Sequence, residues 1–241
     1  VTTAAAAWRA FVRGPDYPAS DADRRTFRVA GLELPLRATT ALVVVTLVLL
    51  FDFSRTAIPE VVQDLGRAAA ANRYQALERV VLFGLVPLLV ILLAFRDRPG
   101  SYGLRLGDWR WGLGLAVAGA AVMTPIVVAV SANPDFREYY RISSAGAVDL
   151  LVNHLLDLTP TEFLFRGFLM FALIRSIGPV GVVVAQLPFV FAHLGKPEVE
   201  LFSTLLGGTV FGWLDWRTGS ILWSAAAHVY ILTLLLVLTG S

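Results

Sequence analysis

Few residues in this chain are suited to chemistry, and most lie in its second half: Asp149, Asn153, His154, Asp157, Glu162, Arg166, His193, Glu198, Glu200, Asp215 and His228. All three histidines are among them. A carboxylate and a neutral imidazole can hold and deprotonate a water. A second imidazole can donate a hydrogen bond to a developing oxyanion. Glu162, His193 and His228 supply that set, and it suffices for peptide hydrolysis. Glu162 and Arg166 stand four residues apart, the spacing at which opposite charges pair on one helix face. For Arg166 a structural ion pair is the favoured reading over direct chemistry. Taken singly, His193 in Phe189-Val190-Phe191-Ala192-His193 and His228 in Ala225-Ala226-Ala227-His228 each read as a satisfied structural histidine. Two histidines and a carboxylate on three different helices read instead as one converging polar site. The same set could bind a metal, but the sequence has no His-Glu-x-x-His and no ligand pair on one helix turn. No cofactor is called for, although the residue types leave zinc open. The absence of cysteine removes disulfides, thiolate zinc sites and a cysteine nucleophile.

These groups need elements that bring them together, and composition says the elements are membrane helices. Hydrophobic residues make up 56% of the 241, charged residues 16%, and the mean hydropathy is +0.68. A soluble domain carries roughly 25% charged residues. The net charge of +2 does not mark a nucleic-acid surface, because the arginines sit beside apolar runs, where they anchor helices in a bilayer. Runs long enough to span occur at 37–54, 76–95 and 110–131. The stretch 146–176 is too long for one span, and Pro160 predicts a break into helices at 146–158 and 160–176. Gly178-Pro179 marks a turn, and further runs cover 179–194, 198–215 and 219–240.

The expected fold is all-α, a polytopic membrane bundle of seven or eight helices. Residues 1–35 read as a cytoplasmic tail and 36–241 as the membrane domain. No signal peptide is read ahead of the first run. Arg24, Arg25, Arg28 and Arg37 before the first span, with Arg96, Arg98, Arg105 and Arg110 after the second, place the N-terminus inside. Arg55, Arg67, Arg73 and Arg79 blunt that signal. A charge at the bilayer centre costs ~2.5–3.5 kcal/mol, so the ionisable groups of the second half face a protein interior or a wet cavity. Asp149, Asn153 and Asp157 share one helix face, a stripe a channel or transporter could use. The absence of an internal repeat counts against a transporter. Gly208 and Gly212, beside Gly207, are spaced for close helix packing.

The motifs together resemble the CAAX-protease and bacteriocin-processing (Abi) family of intramembrane endopeptidases. That family shows Glu-Glu-x-x-x-Arg, then Phe-x-x-x-His, then His-x-x-x-Asn or a near variant. Here the first reads Thr161-Glu162-Phe163-Leu164-Phe165-Arg166-Gly167, the second Phe189 to His193, and the third begins at His228. The resemblance covers about residues 100–235. A rhomboid-like serine site fits less well, since Ile221 follows Ser220 where a glycine is usual. The resemblance implies a glutamic-type endopeptidase without a required metal. Its substrate would be a membrane-embedded or lipid-tethered peptide or protein, and the Ala/Arg/Leu-rich composition points to a prokaryotic inner membrane. Glu162 and His193 would activate water, His228 would bind the oxyanion, and Arg166 would hold the Glu162 helix. Two positions depart from the pattern. Thr161 replaces the first glutamate, generally taken as the water activator, and Leu232 replaces the polar residue after His228. Glu200 and, more weakly, Asp157 are candidate substitutes for the missing carboxylate. A member that binds a partner without cleaving it is the alternative reading.

Overall fold

The apolar runs become helices with their ends close to where hydropathy places them. The computed structural model of the protein describes residues 3, 6, 8, 11–54, 68–140 and 146–240, and Arg55 and Arg67 of the orientation argument lie outside these. From Leu36 onward the described residues form eight helices: α1 (Leu36–Ser54), α2 (68–95), α3 (Trp109–Ser131), α4 (Pro134–Tyr139), α5 (147–177), α6 (Val180–Phe191), α7 (Glu198–Thr218) and α8 (Leu222–Thr239). Four segments are long and apolar enough to cross a membrane: Leu36–Ser54, Arg73–Phe95, Trp109–Ser131 and Leu222–Thr239.

α5 is the axis of the bundle. Residues 161–174 are buried on every face, which a helix tolerates only when partners surround it. α1, α2, α6 and α8 all pack against it, and α3 lies outside, against α8. The break expected at Pro160 does not occur, and α5 runs straight through it. Proline deletes one amide donor. The chain accommodates this by widening the next two turns, Phe163–Leu169, into π geometry. Ending the helix there would leave several backbone groups unpaired inside an apolar bundle, a larger loss than one hydrogen bond. Gly178, at φ +72°, ends α5 at the predicted turn.

The segment read as a tail is folded onto the bundle. Thr26–Val29 (β1) and Leu32–Pro35 (β2) form an antiparallel hairpin, an element the sequence reading lacked, and it feeds directly into α1. Ahead of it the chain straps across α7: Trp213 Nε1 donates to the Val12 carbonyl at 2.8 Å and Trp216 Nε1 to that of Pro15 at 3.1 Å. Arg37 clamps the strap by donating to Asp23 Oδ1 (2.8 Å), the Phe95 carbonyl (2.9 Å) and Asp97 Oδ1 (3.0 Å).

Burial alone would raise the Asp23 carboxyl, but hydrogen bonds from Ser20 and Arg37 outweigh it and hold the group below the usual aspartate value. A depressed carboxyl contributes stability above its unfolded-state value of about 3.9, and loses it as pH falls through the folded value. Asp23→Asn should therefore melt a few degrees lower than wild type near neutral pH. The gap should narrow below about pH 4, as read by thermal melting in detergent.

Candidate active site

Glu162, at the midpoint of α5, is wholly buried and receives hydrogen bonds from two sides. Arg166, one turn later on the same face, donates Nη1 to Oε2 at 2.7 Å. His228 of α8 bonds through Nδ1 to Oε1 at 2.6 Å. An ionised carboxylate only accepts, so the Nδ1 proton is donated and Nε2 is the free ring nitrogen. Arg166 is itself enclosed. Its guanidinium carbon lies 4.0 Å from the Phe189 ring centroid, and Nη2 donates to Gln186 Oε1 at 3.2 Å. Gln186 passes its own Nε2 to the Val182 carbonyl at 2.9 Å. The sequence reading missed Gln186, although a lone amide in the apolar run 180–191 was the signal that could have found it.

The Gly208–Gly212 spacing on α7 makes room for this enclosure. A Cβ at Gly208 would lie 2.6 Å from Gln186 Oε1 and 3.2 Å from Arg166 Nη2, whereas one at Gly207 meets nothing within 4 Å. Gly208→Ala is therefore expected to cost about 1–3 kcal/mol by overpacking. Gly207→Ala should be neutral or stabilising by up to about 1 kcal/mol, because it adds helix propensity alone. Denaturation of the two variants side by side checks this.

His193 stands just beyond the end of α6. Its Nδ1 bonds to the Phe189 carbonyl at 2.7 Å. A carbonyl only accepts, so here too the proton is on Nδ1 and Nε2 is free. His193 and His228 both line one cavity of about 110 Å³, room for a few waters. Thr161, Asp157, Lys196 and Leu232 line it as well, together with Asp52 and Arg79.

Glu162 is not among the lining residues, which departs from the expected placement of this carboxylate at a water beside His193. Its two oxygens are held by Arg166 and His228, and it reaches the cavity through the imidazole of His228. Thr161 lines the wall instead, its hydroxyl donating to the Asp157 carbonyl at 2.7 Å. Glu200 does not share a face with His193, because α6 ends at Phe191 and a new helix starts at Glu198. It accepts from Lys196 Nζ at 2.6 Å and from the Tyr140 hydroxyl at 2.5 Å, so it touches the cavity through Lys196.

The carboxylates of the polar stripe on α5 are engaged along α2. Asp149 pairs with Arg73 at 3.7 Å and Asp157 with Arg79 at 2.8 Å. Arg79 also holds Asp52, at 3.3 Å through Nε and 3.1 Å through Nη2. His154 bonds Thr233 at 2.8 Å and ties α5 to α8. Asp215, wholly buried, accepts from Ser224 Oγ at 2.7 Å and ties α7 to α8. Among the described residues no three histidine, cysteine or acidic side chains stand close enough together to hold a metal ion.

Residues 143–234 match the family model described as "Rce1-like: Type II CAAX prenyl endopeptidase Rce1-like". The segment that carries the site is of the CAAX-protease kind. The matched residues contain Glu162, Arg166, His193 and His228 and agree with the family recognised from the three motifs. No curated protein and no solved structure matches the chain significantly. The match supports a CAAX-type protease relationship for residues 143–234, the segment that carries the site. The apolar spans accord with an integral membrane protein.

Proposed function

We propose that this protein is an intramembrane endopeptidase that hydrolyses a peptide bond in a membrane-embedded or lipid-tethered peptide or protein. One observation carries the reading. Two imidazoles, one just beyond the end of α6 and one on α8, each have Nδ1 tied down by an acceptor, and both residues line one cavity with room for a few waters. In the proposed reaction His193 Nε2 takes the proton of the attacking water. His228, as the doubly protonated imidazolium with Glu162 as its counter-charge, keeps Nδ1–H on Glu162 and donates Nε2–H to the oxyanion of the tetrahedral intermediate. The proton taken by His193 then passes to the leaving amine. Glu162 orients His228, Arg166 and Gln186 hold Glu162, and Glu200 holds Lys196 at the rim. No step needs a metal.

Arg24, Arg25, Arg28 and Arg37 before α1 and Arg96 and Arg98 after α2 support that end of the bundle as the cytoplasmic one, and the Ala/Arg/Leu-rich composition supports a prokaryotic inner membrane. The cavity then lies toward the opposite face, near Asp52 at the other end of α1. The second reading, a member that binds its partner without cutting it, draws on Thr161 and Leu232. Both line the cavity with groups that cannot act as a base.

The two readings separate in one experiment. Purified protein in detergent is incubated with labelled peptides, some membrane-anchored, beside the His193→Ala and His228→Ala variants and a chelator control. Cleavage lost in both variants and indifferent to chelator supports the proposal. Folded wild-type protein that cuts nothing, while an active relative cuts the same peptides, supports the binding reading.

A further inference from the structure

The cavity holds two histidines but needs a group to place water between them, and its acidic residues differ in how they are used. Asp52 has both carboxylate oxygens on Arg79, through Nε at 3.3 Å and Nη2 at 3.1 Å. Its side chain is only 8% exposed. Asp157 receives Arg79 Nη1 on Oδ1 alone, at 2.8 Å, and its side chain is 25% exposed at the cavity wall. Glu162 has no face on the cavity. One guanidinium thus serves two carboxylates, so the Asp52–Arg79–Asp157 triad carries one excess negative charge, and Asp157 is the member that meets the cavity most openly. It stands one helical turn before Thr161 and on the same side of α5, and Thr161 also lines the cavity.

From this we infer that Asp157 is the catalytic carboxylate of this protein, accepting a hydrogen bond from the water that His193 deprotonates. Arg79 and Asp52 are its positioning residues. Arg79 fixes the carboxylate through one oxygen, and Asp52 holds Arg79 from the other side so that the cation does not neutralise Asp157 completely. The inference rests on the proposed endopeptidase reading and adds its water-orienting group.

The test uses the full chain in detergent with a peptide the wild type cleaves. Asp157→Asn preserves shape and an oxygen that Arg79 can bind, so its melting temperature should stay close to that of wild type. Its kcat/KM should fall at least about 100-fold, the lower end of what an acid–base group contributes. The double variant Asp157→Asn with Thr161→Glu returns a carboxylate to the same wall one turn further along. It should recover at least a tenth of wild-type kcat/KM. A merely structural role for the Arg79–Asp157 pair predicts no such recovery.

Asp157→Asn that cleaves within threefold of wild type overturns the inference and leaves the endopeptidase reading intact. A loss that Thr161→Glu does not repair also overturns it, assigning Asp157 to the Arg79 ion pair alone. A wild-type protein without cleavage, on peptides an active relative cuts, removes both readings together.

Discussion

Glu162→Ala is expected to destabilise the bundle by about 3–5 kcal/mol and to abolish cleavage at the same time, the largest combined effect of any single substitution here. Arg166 is wholly buried, and Glu162 is its one acidic partner in an ion pair or hydrogen bond among the described residues. Removing that acid leaves an uncompensated guanidinium beneath Phe189 and Phe211. Arg166 Nε already lacks a hydrogen-bond partner, so the site has little capacity to absorb a further loss. The same substitution frees His228 Nδ1, and the ring then loses both its tautomer and its orientation.

Glu162→Gln separates the two effects. The amide keeps the volume and one acceptor oxygen, but its NH₂ must face the N–H of either Arg166 or His228. Stability should fall by less than in the alanine variant, while cleavage still falls by ~10² or more if one oxyanion donor is misplaced. Chemical denaturation and kcat/KM on the same preparations read both. A Glu162→Ala protein that melts like wild type would contradict the buried-pair account directly.

His193→Ala should show the opposite balance. Cleavage is expected to drop by ~10²–10⁴, the contribution of a positioned general base. The structural loss should be slight, because the ring's one hydrogen bond among the described residues is to the Phe189 carbonyl in the last turn of α6, and the residue lines the cavity. His228→Ala should lie between the two cases. It removes the proposed oxyanion donor, but it also strips Glu162 of one of its two donors, so some stability goes with it. The ordering of melting temperatures, His193→Ala above His228→Ala above Glu162→Ala, is a test independent of any substrate. A His193→Ala protein that cleaves within tenfold of wild type would move the base to another cavity group.

Much of this was legible from local pattern. Runs of about 20 apolar residues have one stable setting, a helix across a bilayer, and the ends of α1, α3 and α8 fall within a few residues of the hydropathy limits. The Glu162–Arg166 pair is legible for the same reason, since four-residue spacing on a helix needs no knowledge of the rest of the chain. Pro160 shows where local reasoning fails. Its propensity to end a helix is real, but the surrounding helices make a broken backbone costlier than a widened turn. The β1–β2 hairpin was missed because strands of four residues give too few repeats for the alternation of Phe27, Val29, Leu32 and Leu34 with polar residues to stand out. Its Ala30-Gly31 turn, with φ of 50° and 83°, shows its character only in three dimensions.

The sequence by itself determined that this is a membrane helix bundle and that Glu162 and Arg166 belong together. These follow from contacts within one helix or from the cost of apolar surface in water. Tertiary structure alone decided that the second oxygen of Glu162 belongs to His228, 66 residues away, and that His193 and His228 line one cavity. It also decided that Asp157, and not Glu162, faces that cavity. Those outcomes depend on how α5 is rotated against α2, α6 and α8. That rotation is set by the packing of all these helices at once, and no single stretch of sequence contains it.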